Sequence, residues 1–270
     1  ENDKYSTRPA SITVILKADG NEIARTTTDA SQNWQYSFSG VPMYRKTDGQ
    51  QIVYTVEEQA VTGYTASYSG NNITNTLSTV DVKVDKTWDD NNDKYSLRPA
   101  KVQIQAIDKN TGTVYATGTV TDTLGVWSYT FQNLPEFDKT TGNKIEYTVK
   151  ELPVTGYTSS APTGDMTKGF SIENKLDTVS FKGTKNWDKD SNNQYNTRPA
   201  SITVYAVDST TNKTIDQITV TPNNGKWDFS FTGLPKYDNN GNVIVYTLSE
   251  GTVTGYNLTS VTADPTTNTF

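Results

Sequence analysis

Val80-Asp-Val-Lys-Val-Asp-Lys-Thr-Trp88 is a strand written in strict alternation. Side chains two apart on a strand point the same way, so Val80, Val82, Val84, Lys86 and Trp88 share one face, and Asp81, Lys83, Asp85 and Thr87 share the other. The apolar face is the one to bury. Lys86 therefore points toward a core, where an unpaired ammonium is costly.

The same strand recurs as Val179-Ser-Phe-Lys-Gly-Thr-Lys-Asn-Trp187, which puts Lys185 on the face of Val179, Phe181, Gly183 and Trp187. Around it, five landmarks repeat three times in one order. Arg-Pro-Ala begins at Arg8, Arg98 and Arg198, and is followed by Trp34-Gln-Tyr36-Ser-Phe38, Trp127-Ser-Tyr129-Thr-Phe131 and Trp227-Asp-Phe229-Ser-Phe231. Next come Val41-Pro42, Leu134-Pro135 and Leu234-Pro235, then Tyr-Thr-Val/Leu-x-Glu ending at Glu58, Glu151 and Glu250, then Val-Thr-Gly-Tyr ending at Tyr64, Tyr157 and Tyr256. A repeat of this length is a whole domain rather than a solenoid unit. The breaks fall near residues 78 and 177, giving modules 1–78, 79–177 and 178–270. The first opens at Glu1-Asn-Asp-Lys-Tyr5, past the place of the opening strand in the others, so it lacks its first strand in this chain.

Composition narrows the chemistry. Without cysteine or histidine there is no disulfide, no thiolate chemistry, no Ser-His-Asp triad and none of the usual zinc ligand sets. Hydrophobic residues make up 33% of the chain, while Thr, Ser, Asn, Asp and Tyr are plentiful, which favours turn-rich β structure; no long helix is visible. A formal charge of −6 argues against a nucleic-acid partner, and no apolar run approaches a membrane span. Glu1 and its neighbours do not form a signal peptide, so export signals are expected outside these residues. The linkers Leu77-Ser-Thr-Val80 and Leu176-Asp-Thr-Val179 carry no Gly/Ser or Pro run, so the modules should be closely spaced.

Alternation aims two further polar groups inward. Glu58 continues the face of Ile52, Tyr54 and Val56; Glu151 that of Ile145, Tyr147 and Val149; Glu250 that of Ile244, Tyr246 and Leu248. On the closing strand Asn75 shares a face with Ile73 and Leu77, Asn174 with Phe170, Ile172 and Leu176, and Asn268 with Thr266 and Phe270. Burial drives an amine and a carboxyl toward their neutral forms, and a neutral amine beside a carboxylic acid is a nucleophile with its acid catalyst. If the amide lies against that amine, Lys Nζ can attack Asn Cγ while the Glu polarises the amide oxygen and shuttles the proton, releasing ammonia.

Lys86-Thr-Trp88-Asp-Asp-Asn-Asn, Arg98-Pro99, Tyr147-Thr-Val-Lys-Glu151, Val154-Thr-Gly-Tyr157 and Ile172-Glu-Asn174-Lys together resemble the B-type repeat domain of the collagen adhesin (CnaB) and of related Gram-positive surface proteins and pilins. The resemblance covers nearly the whole chain. It implies an all-β tandem array of three inverse-immunoglobulin-like β-sandwiches and, in modules two and three, an intramolecular isopeptide bond between the Lys before x-Trp and the Asn of the last strand. Carried over by position, the bonds are Lys86 to Asn174 with Glu151 as acid, and Lys185 to Asn268 with Glu250 as acid. Module one keeps Glu58 and Asn75 without a lysine. The implied role is a stalk or spacer of a cell-wall-anchored surface protein, outside the cell and anchored through a segment beyond this chain. It implies no cofactor, no metal, no turnover enzyme beyond the single self-directed reaction, and no membrane contact by this segment. Its partners would be neighbouring domains of the same protein, host extracellular matrix reached through other domains, and for module one a donated strand.

Plainer readings compete. A strand-end lysine can snorkel to water, the Glu can sit on a solvated rim, and the Asn can bond backbone at a sheet edge. Trp34, Trp127 and Trp227 suit a sandwich interior better than a sugar platform. The acidic runs Asp89-Asp-Asn-Asn-Asp93 and Asp188-Lys-Asp-Ser-Asn192 hint at calcium but lack the glycine and terminal glutamate of an EF-hand. As an alternative function, the modules could themselves bind a host matrix protein or glycan through loops or an edge strand.

Overall fold

A computed structural model of the chain describes residues 3–262. Among these the structure is strand and turn, with short 3-10 turns at Ala30–Gln32 and Ser191–Asn193 and no helix long and apolar enough to cross a membrane.

The middle module builds one sheet from Tyr147–Glu151, Lys101–Asp108 and Val114–Thr123, and a second from Val126–Pro135, Thr79–Asp89, Gly169–Leu176 and Tyr157–Ser159. The strand Val114–Thr123 passes between them, ending in the pairs Asp122 to Trp127 and Thr123 to Val126. Between the sheets lie Val82, Val84, Val102, Ile104, Trp127, Phe131, Ile145, Val149 and Ile172, the inward halves of the alternating strands. Gly118 is needed here, because a Cβ would fall 2.4 Å from Cε1 of Tyr129. The opening strand pairs antiparallel with Val126–Pro135 on one side, and on the other it pairs parallel with the closing strand. That parallel register sets Phe170 beside Val84, Ile172 beside Lys86 and Asn174 beside Trp88. First and last strands of the module are thus neighbours running the same way.

Module three repeats the plan with Thr178–Thr184 against Asp228–Pro235, and Ile202–Asp208 between Lys213–Val220 and Tyr246–Glu250. Its opening strand is shorter than the alternation predicts. Pairing ends at Thr184 with Asp228, where the partner strand begins, and Lys185 lies one residue beyond, held by its N–H to the carbonyl of Trp227 at 3.0 Å. The proposed closing strand around Asn268 lies outside the described residues.

Module one departs further. Ser11–Ala18 pairs with Asn21–Asp29 and with Tyr54–Glu58, and Tyr64–Ser69 forms a hairpin with Asn72–Leu77. Trp34-Gln-Tyr36-Ser-Phe38, expected as a strand, is irregular, with Trp34 at φ 60° and all three rings half-buried. The reason is the missing partner: in modules two and three the matching segment pairs along its length with the opening strand. A groove of about 880 Å³ lies in that place, lined by Trp34, Tyr36 and Phe38 on one side and Ile73 and Asn75 on the other. In all three modules the Glu strand proper starts at the Tyr (Tyr54, Tyr147, Tyr246), so Ile52, Ile145 and Ile244 precede it.

Candidate functional site

In module two the three predicted groups are all enclosed. The side chains of Lys86 and Glu151 are 0% and 1% exposed, with Nζ 3.8 Å from Oε1, too far for a hydrogen bond. Glu151 is set in place by the pairing of its strand, which puts it opposite Ile104. Asn174 is wholly buried, on the strand parallel to that of Lys86. Neither oxygen of Glu151, nor the amide oxygen or nitrogen of Asn174, has a hydrogen-bond partner. Groups so enclosed normally find partners, since leaving one unmade costs about 1–3 kcal/mol. Lys86 donates to the carbonyl of Thr87 at 2.7 Å, and its Nζ lies 4.3 Å from the ring centre of Trp88. Desolvation lowers its pKa to about 8, with Glu151 opposing the shift. At pH 7 about a tenth of the amine is therefore neutral, far more than an ordinary lysine offers.

In module three, Lys185 donates to Oε2 of Glu250 at 3.0 Å, with both side chains largely enclosed and Oε1 of Glu250 without a partner. The lysine again sits over the tryptophan two residues on, 4.8 Å from the Trp187 ring. Glu250 faces Val204 as Glu151 faces Ile104 and Glu58 faces Val14, the same place in each sheet. In module one the amide and acid already meet. Asn75 Nδ2 donates to Oε1 of the buried Glu58 at 2.8 Å, leaving Asn75 Oδ1 unpartnered. The face is set, and only an amine is missing from it.

A second constellation beside the site was missed from sequence. Arg98, used there only as a landmark, forks onto Asp90 through Nε at 2.7 Å and Nη2 at 2.6 Å, and Tyr157 donates its hydroxyl to the same carboxylate at 3.1 Å. Burial alone would raise the pKa of Asp90, but the Arg98 fork and the N–H of Asp93 hold it below the usual carboxylate range. Arg98 and Lys86 both lie against Trp88, whose ring also meets Trp127 and Tyr157 edge-on at 5.1 and 4.9 Å. Asp190, Arg198, Tyr256 and Trp187 repeat the arrangement. The Asp in the run first weighed as a cation loop is thus an anchor for the arginine that walls in the lysine. The Asp-to-Arg spacing is the same in both repeats, and that signal could have exposed the pair.

Among relatives, the chain is 34% identical over 261 residues to a collagen adhesin of Staphylococcus aureus, covering 92% of this chain and 20% of that protein. It thus spans about a fifth of the length of this curated relative. Among solved structures it is similar to two B repeat units of the S. aureus collagen-binding protein, at 32% identity over 100% of this chain and 69% of that one, with a TM-score of 0.36. A single B repeat unit of the same protein matches at 31% identity over 66% of this chain and 93% of that one, with a TM-score of 0.32. The pilus backbone of Streptococcus pneumoniae matches at 16% identity over 75% of this chain and 52% of that one, with a TM-score of 0.26. The family model for the Cna protein B-type domain fits three times, over residues 1–76, 82–175 and 181–269, and the chain belongs to that family.

Proposed function

We propose that this chain is a stalk segment of a surface protein, outside the cell, whose modules are locked by a self-made amide bond between the first and last strands. The observation that carries the bond is the enclosed set in module two: a lysine prone to neutrality, a carboxyl 3.8 Å away and an amide with both polar atoms unpaired. Lys86 Nζ attacks Asn174 Cγ while Glu151 gives its proton to the amide oxygen; the carboxylate then takes a proton from Nζ and passes it to the departing nitrogen, and recovers its own as the C=O re-forms. A C–N bond to Nζ forms, the bond to Nδ2 breaks, and ammonia leaves, so no oxidant or cofactor is required. Lys185, Glu250 and Asn268 form the matching set of module three. Domain breaks near 78 and 177 go with this reading, supported by main-chain bonds from Glu136 to Ser78 and from Lys236 to Asp177 where one module meets the next.

The stalk reading is supported by membership in a family found in an adhesin, and by the absence from the described residues of a concave site with converging catalytic groups beyond these sets. Intact mass tests the bonds. The expected chain is two ammonia molecules lighter than its sequence, with cross-linked peptides joining Lys86 to Asn174 and Lys185 to Asn268. A mass equal to the sequence would sink the proposal.

Module one is proposed as a strand acceptor. Its groove occupies the place filled in module two by Thr79–Asp89, and Glu58 and Asn75 wait at its wall. A peptide with the sequence of residues 79–89 is expected to form a covalent adduct with the chain, lighter by one ammonia than the sum of its parts, and to fail with Asn75→Ala. Failure of the unaltered chain to form that adduct would overturn the acceptor role.

A further inference from the structure

Two cations lie against one indole in module two. Lys86 Nζ is 4.3 Å and the guanidinium carbon of Arg98 5.5 Å from the ring centre of Trp88. Like charges brought together repel, so the arginine stays there only if something holds it. Asp90 does so with both oxygens: Oδ1 takes Nη2 of Arg98 and the N–H of Asp93, and Oδ2 takes Nε of Arg98 and the hydroxyl of Tyr157. Its side chain is buried, and a carboxylate with four donors on it stays ionised near neutral pH.

This clamp ties together the two sides of the reaction. Trp88 and Asp90 follow Lys86 in the chain, whereas Tyr157 opens the short strand beside the closing one, with Tyr157 opposite Leu176 and Ser159 opposite Asn174. The hydroxyl of Tyr157 on Asp90 and its ring on Trp88 therefore join the segment that carries the amine to the segment that carries the amide. Module three repeats the clamp. Arg198 forks onto Asp190 at 2.5 and 2.9 Å, Tyr256 reaches the same carboxylate at 3.4 Å, and Lys185 and Arg198 lie 4.8 and 5.7 Å from the ring of Trp187. A staple serving the loop alone needs no place on the lysine's own tryptophan, yet both modules put it there.

We propose that Arg98, fixed by Asp90 and Tyr157, is a positioning residue for the bond between Lys86 and Asn174, and that Arg198 with Asp190 and Tyr256 serves Lys185 in the same way. This role rests on the bond-forming reading above. Arg98 keeps its charge throughout the range in which lysine titrates, so it is a fixed cation beside an amine that must be neutral to attack. Desolvation does most to disfavour the ammonium of Lys86; of the charged groups facing it, Glu151, Glu173 and Asp90 favour the ammonium and Arg98 opposes it. The two members of the clamp thus pull the amine in opposite directions.

That opposition supplies the test. Lys86 and Glu151 share one proton in the reacting state, so bond formation fails above the pH at which the proton leaves the amine, near 8 in the unaltered chain. The full chain is released from a short cell-free synthesis into buffers spanning that limb and quenched at intervals, and the linked and unlinked peptides of modules two and three are counted, module three being the internal reference. Arg98→Ala should move the alkaline limb of module two to higher pH and slow the bond below it about tenfold, the weight of one pKa unit. Asp90→Asn should move the limb to lower pH. Arg98→Lys keeps the charge and should hold the limb near its original place. A loop merely loosened would admit water to the lysine and raise the limb in both Arg98→Ala and Asp90→Asn. A limb that stays put in both variants, or moves the same way in both, overturns the positioning role. If Arg98→Ala fails to fold, Asp90→Asn decides, and a limb that does not fall overturns the role. An unaltered chain that keeps its ammonia in both modules overturns the bond itself, and this role with it, so the two failures are told apart.

Discussion

Asn174→Ala is expected to leave module two unbonded and to cost about 4–5 kcal/mol of its stability against urea. The estimate treats the bond as a covalent ring of about 90 residues whose closure limits the unfolded chain, by analogy with a disulfide of that span. Intact mass should show one ammonia fewer lost than in the unaltered chain, with the bond of module three retained. The variant should also acquire a pH dependence that the bonded module lacks. Its Lys86 is a free amine with a folded pKa of about 8, lowered by desolvation against the pull of Glu151. The unfolded lysine holds its proton to higher pH, so above about 8 the unfolded chain binds more protons and stability rises with pH, by about 1.4 kcal/mol per unit. Below about 8 both states are protonated and this contribution is flat. Urea midpoints between pH 7 and 9.5 give the slope; a variant as stable as the unaltered module at every pH would refute the account.

Glu151→Ala is expected to be worse than losing the bond alone. It removes the acid, so the ammonia is retained, and it strands Lys86 in an apolar enclosure with the Thr87 carbonyl as its remaining hydrogen-bond acceptor. Breaking a buried pair in this way costs roughly 3–5 kcal/mol, on top of the cross-link. Glu151→Gln fills the same space and should recover part of the packing without restoring the reaction. Measured together, unfolding and mass separate the two roles of the carboxyl. Full ammonia loss in Glu151→Ala would remove it from the mechanism.

The alternation of Val80 to Trp88 was enough to place Lys86 inside, because a period of two on an amphipathic strand leaves no other face for it. Glu58, Glu151 and Glu250 followed by the same count, and the structure puts each at one register position. The neighbours of these groups were less legible. That the closing strand lies parallel to the opening one is a fact of topology, and no local pattern in Phe170 to Leu176 encodes it. Trp34-Gln-Tyr36-Ser-Phe38 reads like Trp127 to Phe131, yet it forms no strand, because its pairing depended on residues elsewhere in the fold. Lys185 sits just past the end of its strand for a similar reason: Thr184 is the last residue opposite the partner strand. The Asp90 to Arg98 fork was hidden by its own composition, since an aspartate in an acidic run resembles a solvated loop until an arginine is seen to reach it.

The parallel pairing of Thr79–Asp89 with Gly169–Leu176 also sets how a pulled array behaves. Because the two end strands run the same way, tension along the chain slides one past the other and loads all their rungs together instead of opening them one by one. If Lys86 is joined to Asn174 as proposed, the load would cross from the first strand to the last at that point and would not enter the residues between, so that only the short stretches 79–85 and 175–177 could be drawn out. A module so bonded would act as a tether of fixed length, transmitting a tug without lengthening to absorb it.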